Sequence, residues 1–257
     1  MLRRWWRRHR EERVLRDRAI PQLLWDETIA QYPFLACRPA EDLDELKRLA
    51  TLFLSKKEFT GAGGLVVTDA MAVAIAAQAC LPVLRLGLHW YDGFLGLVIH
   101  PDEVVARRQI VDEAGVVHDY DEVLAGEAME GGPLMLSWHD VASAGESAAL
   151  GYNVVIHEFV HVMDMIDGAP DGMPPLPNRK AQEHWLLVMQ AAFDRFVRML
   201  DSGREPFLDP YGAEGLDEFF PVTAEAFFTA PLQLQDEHPA LYDLLAGFFE
   251  QDPARHF

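Results

Sequence analysis

Hydrophobic residues recur with a helical period in the first third of the chain. The segment 41–56 keeps its apolar residues on one stripe and its charged residues elsewhere, which predicts an amphipathic helix. The segment 70–81 is apolar almost throughout, stops at Pro82 and follows Thr68 and Asp69, which are suitable capping residues. We expect a buried helix there, because about twelve residues are too few to cross a bilayer. The apolar stripe of the helix expected over 41–56 consists of Leu43, Leu46, Leu49 and Phe53.

The middle of the chain contains two short runs of β-forming residues. They cover 94–100 and 134–138, and each is bounded by glycine or proline, so we expect both to form strands. The acidic, glycine-containing segment 101–132 lies between them and is expected to make a long excursion across the surface.

From residue 147 onwards the pattern is helical. One helix is expected over 147–166 with Gly168 after its end, and the prolines of 169–178 predict a loop. The sequence therefore predicts an α+β fold with a mixed N-terminal half, containing a small sheet, and a mainly helical C-terminal half. The further helices are expected at 180–200, 215–229 and 238–250.

Charge is distributed unevenly along the chain. The net charge is −19, but residues 1–18 hold eight arginines against three acidic residues, so this segment carries +5 and the rest −24. The acidic body argues against direct binding of nucleic acid. We therefore divide the chain into a basic tail, 1–18, and a single domain, 19–257. Two interpretations of the tail stay open: it contacts an acidic membrane surface through Trp5 and Trp6, or it is the solvated start of the first helix.

The cysteine content indicates a reducing compartment. Cys37 and Cys80 are too few to form the framework of a secreted scaffold, and both lie among apolar or alanine residues, so we expect packed thiols. No segment is long and apolar enough to span a bilayer, and no apolar signal region follows the N-terminal arginines. We expect a soluble, cytoplasmic protein.

The sequence His157-Glu158-Phe159-Val160-His161 is an H-E-x-x-H motif on an expected helix. Histidines four residues apart share one helical face, so both imidazoles can reach a single metal ion, and imidazole suits zinc. Glu158 is adjacent to a ligand and can act as general base towards water in the open coordination position. The apolar run before His157 supports this hypothesis, because it places the charged Glu158 deep in the fold, where it needs a partner.

A catalytic zinc site needs a third protein ligand, and the spacing of the residues leaves two candidates open. The third histidine of the pattern H-E-x-x-H-x-x-G-x-x-H is absent, since residues 164 and 167 are aspartates and position 171 is Asp171. Glu218 and Glu225 lie seven residues apart on one face of the helix at 215–229. One of them could ligate the metal while the other hydrogen-bonds a ligand. Glu214 and Asp217 are weaker candidates, because acidic residues are common at helix starts.

Two families of zinc peptidases resemble this sequence. The metal helix with Asp164 after it, and the segments around Tyr211, Glu218 and Glu225, are similar to the zinc peptidase domain of the lethal-factor toxins. A longer resemblance, over most of the chain, is to the Mlc titration factor A (MtfA) family of bacterial zinc peptidases. The segments that carry it are Cys80-Leu-Pro-Val-Leu84, Gly87-Leu-His-Trp-Tyr-Asp-Gly93, Gly132-Pro-Leu-Met-Leu-Ser-Trp138, Gly151-Tyr-Asn-Val-Val-Ile-His-Glu158 and Phe227-Phe-Thr-Ala-Pro231.

The resemblance implies a zincin-like fold and roles for several residues. It makes Glu218 the third ligand, beside His157 and His161, of one Zn²⁺ per chain. It assigns Glu225 to a second acidic position and gives Tyr211 the stabilisation of the oxyanion. Without the resemblance, Tyr211 would be interpreted as a loop aromatic packed on the core. Asp164 either orients one of the histidines or forms a surface salt bridge.

Two hypotheses about function follow. The first is a zinc-dependent peptidase, aminopeptidase-like by resemblance, in which Glu158 transfers the proton of water and a strand near 134–138 aligns an extended peptide. The second, also implied by the resemblance, is a titration factor that sequesters a transcriptional repressor, Mlc, with hydrolysis secondary. A structural zinc protein is disfavoured, since no fourth ligand is suitably spaced. The sequence Ala128-Met129-Glu130-Gly131 resembles an aminopeptidase motif only incompletely and is interpreted as coincidence.

Overall fold

The computed structural model describes residues 2–111, 117–129 and 131–257, with side chains described for residues 6, 9–105, 124–129 and 131–257. Within these residues the chain forms eleven α-helices, six β-strands and four short 3₁₀ helices. The α+β expectation is confirmed. The α-helices are α1 (Leu2–Asp17), α2 (Gln22–Gln31), α3 (Pro33–Ala36), α4 (Ala40–Lys56), α5 (Asp69–Ala79), α6 (Trp138–Ser147), α7 (Val154–Asp164), α8 (Arg179–Asp201), α9 (Leu216–Thr229), α10 (Pro231–Glu237) and α11 (Pro239–Phe249). The strands are β1 (Glu58–Gly61), β2 (Gly96–His100), β3 (Val104–Val111), β4 (Val117–Leu124), β5 (Gly126–Ala128) and β6 (Leu134–Ser137). The 3₁₀ helices span Leu88–Tyr91, Ala148–Leu150, Pro210–Ala213 and Pro253–His256.

The helices with the strongest sequence patterns form where they were expected. The helix α4 covers the amphipathic segment, and α5 is the buried apolar helix, whose cap Thr68 accepts a hydrogen bond from the backbone N–H of Met71. The expected loop at 169–178 lies between α7 and α8. The pattern at 238–250 corresponds to α11, while α10 before it was not expected.

The main sheet has four strands in the order β1-β2-β6-β5. The strands β1, β2 and β6 pair in parallel, and β5 pairs antiparallel with β6, with Gly126 opposite Leu136 and Ala128 opposite Leu134. Both expected strands, β2 and β6, are present and lie at the centre. The expectation that the strand near 134–138 aligns a peptide is wrong, because β6 has neighbours on both sides, and β5 occupies the edge.

The segment 101–132, for which only an excursion across the surface was expected, contains regular structure. The strands β3 and β4 form an antiparallel ribbon, and β5 then joins the main sheet. The sequences of these strands show no clear two-residue alternation, because polar residues follow one another directly in both.

The single helix expected over 147–166 is wrong at its start. The helix α6 ends at Ser147 and a 3₁₀ turn follows it. Gly151 then adopts a φ of +78°, in the left-handed region that favours glycine. The chain restarts at Asn153, whose side chain accepts a hydrogen bond from the N–H of Ile156, 2.9 Å away, and caps α7.

The helix α7 lies at the centre of the hydrophobic core. All of its residues except Val162 are buried, and it packs against α5, α6, α9, β5 and β6. The ring of Phe159 lies within an aromatic cluster with Phe53, Tyr91 and Phe94, at centroid separations of 4.9–5.7 Å. This packing holds the opposite face of α7 in place at the site described below.

Both cysteines are free, as expected; Cys80 is buried and Cys37 is half-buried. Burial raises the pKa of the Cys80 thiol, which keeps it in the unreactive protonated form.

Among the described helices, none combines the length and the apolar character needed to cross a membrane.

Candidate metal centre

The helix α7 presents two histidines towards α9. His157 and His161 lie one turn apart, and their ring centroids are 4.8 Å from each other. Each residue is 8% exposed, so the pair lies at the bottom of a cleft rather than on the surface. Their Nε2 atoms are 3.1 Å apart, with both rings pointing to one spot.

The helix α9 supplies a carboxylate to the same spot. Oε2 of Glu218, in the first turn of α9, lies 3.2 Å from Nε2 of His157 and 3.2 Å from Nε2 of His161. Three ligands at zinc-binding distances around a tetrahedral metal are separated by about 3.3 Å. The donor set, two imidazole nitrogens and one carboxylate oxygen, therefore fits a metal ion by both chemistry and spacing. Within the described ranges, this is the one group of histidine, cysteine and acidic side chains so arranged.

Glu225 contacts the outer side of the first histidine. Its Oε1 lies 2.7 Å from Nδ1 of His157, and its Oε2 accepts a hydrogen bond from the backbone N–H of Asn153. When Glu225 is ionised and His157 is neutral, the carboxylate only accepts, so Nδ1 carries the hydrogen and Nε2 keeps its lone pair for a metal. Of the two glutamates that spacing alone left open, Glu218 thus faces the histidine pair and Glu225 hydrogen-bonds one of its members.

The charges at the site shift the pKa of several side chains. Burial opposes a charged imidazole at His157, but Glu225 and the hydrogen bond to Glu218 outweigh it and raise its pKa well above the usual value. For Glu218, burial is likewise outweighed by hydrogen bonds to the two histidines, so its pKa is lowered. Burial dominates at Glu225 and raises its pKa. The shift at His157 favours a protonated imidazole in the centre without metal, and metal binding has to displace that proton.

Glu158 lies beside the histidines and faces the sheet. It is 5% exposed, and its burial raises the pKa of the carboxyl, although the two histidines partly offset this effect. A Cβ atom placed on Gly126 would lie 2.5 Å from Cγ and Oε1 of Glu158. The first residue of β5 must therefore be glycine for this carboxylate to occupy its position against the edge strand.

A cavity of about 210 Å³ opens next to this group. His157, Glu158, Glu225, Tyr152 and Tyr211 are among the residues that line it. The ring centroid of Tyr211 lies 6.0 Å from that of His157, at an interplanar angle of 43°. The 3₁₀ helix that carries Tyr211 is capped by Asp209, whose side chain accepts a hydrogen bond from the Tyr211 N–H. The aromatic is thus at the cavity rather than packed in the core, and it is 37% exposed.

Asp164 has a different role from both alternatives suggested by the sequence. It is 1% exposed, which excludes a surface salt bridge. Its Oδ2 accepts hydrogen bonds from the backbone N–H groups of Asp171 and Gly172, at 3.1 and 2.8 Å, and so fixes the loop after α7. The orienting contact to a histidine comes from Glu225 instead.

Sequence reasoning missed two residues of this site. Asn153 caps α7, contacts Glu225 through its N–H, and donates from Nδ2 to Oε1 of Gln78, 2.8 Å away. An asparagine directly before an apolar run that starts a helix is a capping signal that could have identified it. The second residue is Gly126, and no signal in the sequence around it indicates that it lies against Glu158. Of the incomplete aminopeptidase motif, Met129 follows β5, whereas Glu130 lies outside the described residues.

Comparisons with known proteins agree with this geometry. A family model, the glucose-regulated metallo-peptidase M90, matches residues 3–250. The chain belongs to the M90 family. Mlc titration factor A of Edwardsiella ictaluri is 35% identical over 232 residues, 89% of this chain and 87% of the relative. Mlc titration factor A of Enterobacter sp. (strain 638) is 33% identical over 234 residues, 90% of this chain and 87% of the relative. An uncharacterized protein of Synechocystis is 34% identical over 222 residues, 86% of this chain and 81% of the relative.

Membership of the M90 family accounts for both the fold and the group formed by His157, His161 and Glu218. The expected resemblance to the Mlc titration factor A family is confirmed, and the α+β architecture with its buried H-E-x-x-H helix fits a zincin-like metallopeptidase. A metallopeptidase family implies a metal, and the His157–His161–Glu218 group could hold it.

Proposed function

We propose that this M90 protein is a zinc-dependent peptidase, with one Zn²⁺ per chain held by His157, His161 and Glu218. The observation that carries the proposal is the convergence of two Nε2 atoms and one Oε2 atom to within 3.1–3.2 Å. Imidazole and carboxylate ligands suit zinc, and a set of three protein ligands leaves a position open, as in catalytic rather than structural sites.

The zinc ion, when bound, would supply Lewis acidity that activates water and polarises the carbonyl of the scissile bond. Glu158 accepts the proton of the attacking water and delivers it to the leaving amine. Its raised pKa brings the carboxyl closer to the range in which it can both accept and release a proton. Tyr211 donates its hydroxyl hydrogen to the oxyanion that develops on the carbonyl.

The edge strand β5 provides a means of aligning the substrate. Among the described strands, β5 has a neighbour only on its β6 side, so its outer edge can pair with an extended peptide. Gly126, the first residue of β5, lies against Glu158, so a peptide paired there would run past the general base. The aminopeptidase-like preference for free amino termini is proposed from the resemblance to the Mlc titration factor A family.

The test of this function measures metal and turnover together. We expect elemental analysis to find about one zinc per wild-type chain and far less in Glu218→Ala. We expect Glu158→Gln to keep the zinc and to lose nearly all hydrolysis of a mixture of unblocked peptides. Zinc retained in full by Glu218→Ala would mean that another residue is the third ligand. Full turnover by Glu158→Gln would remove the general base from the proposal.

A second candidate function is the binding of a transcription regulator. Two of the relatives carry the name Mlc titration factor A, and the acidic body of this chain could attract a basic DNA-binding protein. Such a partner would place the protein in the cytoplasm. The test is the affinity of a purified repressor of this kind for wild type and for Glu158→Gln. Equal binding by both would show an activity independent of hydrolysis, and no binding by either would exclude the candidate for that repressor.

A further inference from the structure

A second cavity, of about 290 Å³, lies beyond the end of β5, next to the centre described above. We call it the Met129 pocket. It is enclosed by the 3₁₀ helix at Leu88–Tyr91 and its continuation, by the residues after β5 and by the C-terminal end of α7. Its apolar lining consists of Trp90, Phe94, Met129, Val162, Met165 and Ile166.

From this arrangement we propose that the Met129 pocket binds a bulky apolar side chain of the substrate, within three residues on the amino-terminal side of the scissile bond. The inference rests on the proposed peptidase function and adds its substrate class: peptides with leucine, phenylalanine or a similar residue before the cleavage site.

The pocket and the candidate centre share two walls. On α7, Val162 lies one turn after Glu158, which is an axial rise of about 6 Å. On the sheet side, Met129 follows Gly126 by three residues, about 10 Å along an extended chain. A peptide passing Glu158 along β5 therefore reaches the pocket within its next two or three residues.

The orientation of β5 determines which end of the peptide reaches the pocket. The strand runs from Gly126, at the general base, towards Met129, at the pocket. Antiparallel pairing is the more stable form of strand addition, and an antiparallel peptide runs in the opposite direction. Its amino-terminal residues then lie at Met129 and its carboxyl-terminal residues beyond Gly126.

The lining determines the chemistry of the occupant. Met129 and Ile166 are 46% and 49% exposed, so two large apolar side chains are left in contact with water at this place. The two charged or titratable lining residues, His89 and Asp92, are both exposed, and Asp92 lies 3.7 Å from Lys56 in an ion pair. An apolar cavity of about 150 Å³ can hold benzene, so this pocket has room for a phenyl or isobutyl group.

The first experiment locates the preference along the substrate. Unblocked alanine peptides with a C-terminal lysine would each carry one phenylalanine, leucine, glutamate or lysine at a varied position, and mass spectrometry would identify each cleavage site. We expect phenylalanine or leucine in one of the first three positions before the cleaved bond to raise kcat/KM at least about tenfold over alanine. Ile166→Asp should reverse the preference towards lysine, whereas Leu232→Asp, at a matched 52% exposure on α10, should not. Cleavage without this preference, or with it only after the scissile bond, would overturn the inference and leave the peptidase function intact.

The second experiment does not depend on turnover. In Glu158→Gln with ¹³C-labelled methionine methyl groups, the phenylalanine peptide should shift the Met129 and Met165 signals, and the all-alanine peptide should not. If no peptide is cleaved but these shifts occur, the pocket stands and the peptidase function fails; without cleavage or shifts, both fail. Gel filtration tests whether a second copy of the chain occupies the pocket instead of a peptide. A wild-type dimer that Ile166→Asp dissociates would make the pocket a self-association surface and overturn the inference.

Discussion

Glu225 binds the start of α7 and the first histidine with the two oxygens of one carboxylate. Oε1 lies 2.7 Å from Nδ1 of His157, and Oε2 accepts the backbone N–H of Asn153, the capping residue. The same glutamate therefore orients the imidazole of a candidate metal ligand and holds the start of the helix that carries it. Its burial at 2% exposure keeps water from competing for either contact.

Glu225→Gln should weaken zinc binding without unfolding the protein. The oxygen of the glutamine side chain can still accept a hydrogen bond from the backbone N–H of Asn153. Its NH₂ group then donates to Nδ1 of His157, which would move the imidazole hydrogen to Nε2 and block the lone pair that binds the metal. We expect the zinc dissociation constant to rise about 10- to 100-fold in competition with a chromogenic chelator. Glu205→Gln, in an exposed loop, is the control and should bind zinc like wild type. Unchanged affinity in Glu225→Gln would show that the contact does not orient the ligand.

Tyr211→Phe should lower turnover while leaving the metal in place. The phenyl ring keeps its packing near His157, but the hydroxyl proposed to donate to the oxyanion is removed. We expect kcat to fall by about 10²- to 10³-fold, with zinc content unchanged. Tyr152→Phe removes the other tyrosine hydroxyl of the same cavity and should keep most activity. An equal loss in both variants would indicate a general effect on the cavity rather than a specific donor.

Gly126→Ala should impair the proposed general base, Glu158, without reducing metal binding. The added Cβ would lie 2.5 Å from Cγ of Glu158, so this side chain has to move, whereas the three ligand atoms are not contacted. We expect turnover to fall about 100-fold and zinc content to stay near one per chain. Gly247→Ala, in α11, has no atom within 4 Å of the added carbon and serves as the control. Retained turnover in Gly126→Ala would mean that Glu158 can act from a different position.

The parts of the molecule that were predictable are those in which local sequence and structure agree. The helix α4 and the cap of α5 follow from periodicity and from one threonine, and the H-E-x-x-H spacing alone places two imidazoles on one face. The short strand β5 has neither length nor alternation, and its pairing with β6 depends on contacts distant in sequence. The sequence pattern therefore points to β6 as the peptide-aligning strand, although β6 lies inside the sheet.

The choice between Glu218 and Glu225 shows the same limit at the site. Both glutamates lie on one face of α9, so helical spacing cannot distinguish them. The packing of α9 against α7 distinguishes them, because it places Glu218 beside the Nε2 atoms of both histidines and Glu225 beside Nδ1 of His157. Asp164 was misassigned for a similar reason, because its partners, the N–H groups of Asp171 and Gly172, belong to a loop whose path the sequence does not specify.

Asp164 should make the stability of the fold depend on pH in the mildly acidic range. Burial is the main cause that raises its pKa from 3.8 to about 6, and Asp171 adds to the effect, while the N–H of Gly172 opposes it. Between these two values the folded state binds a proton that the unfolded state has released. The contribution of Asp164 is therefore most favourable below pH 3.8 and is lost as the pH rises through 6, by up to about 3 kcal/mol. Urea unfolding of wild type and Asp164→Asn at several pH values between 4 and 7 measures it. Asparagine keeps an oxygen that can accept from Asp171 and Gly172 but does not titrate, so the wild-type stability relative to the variant should decrease with rising pH. A difference that stays constant over this range would show that Asp164 is ionised in the folded protein throughout.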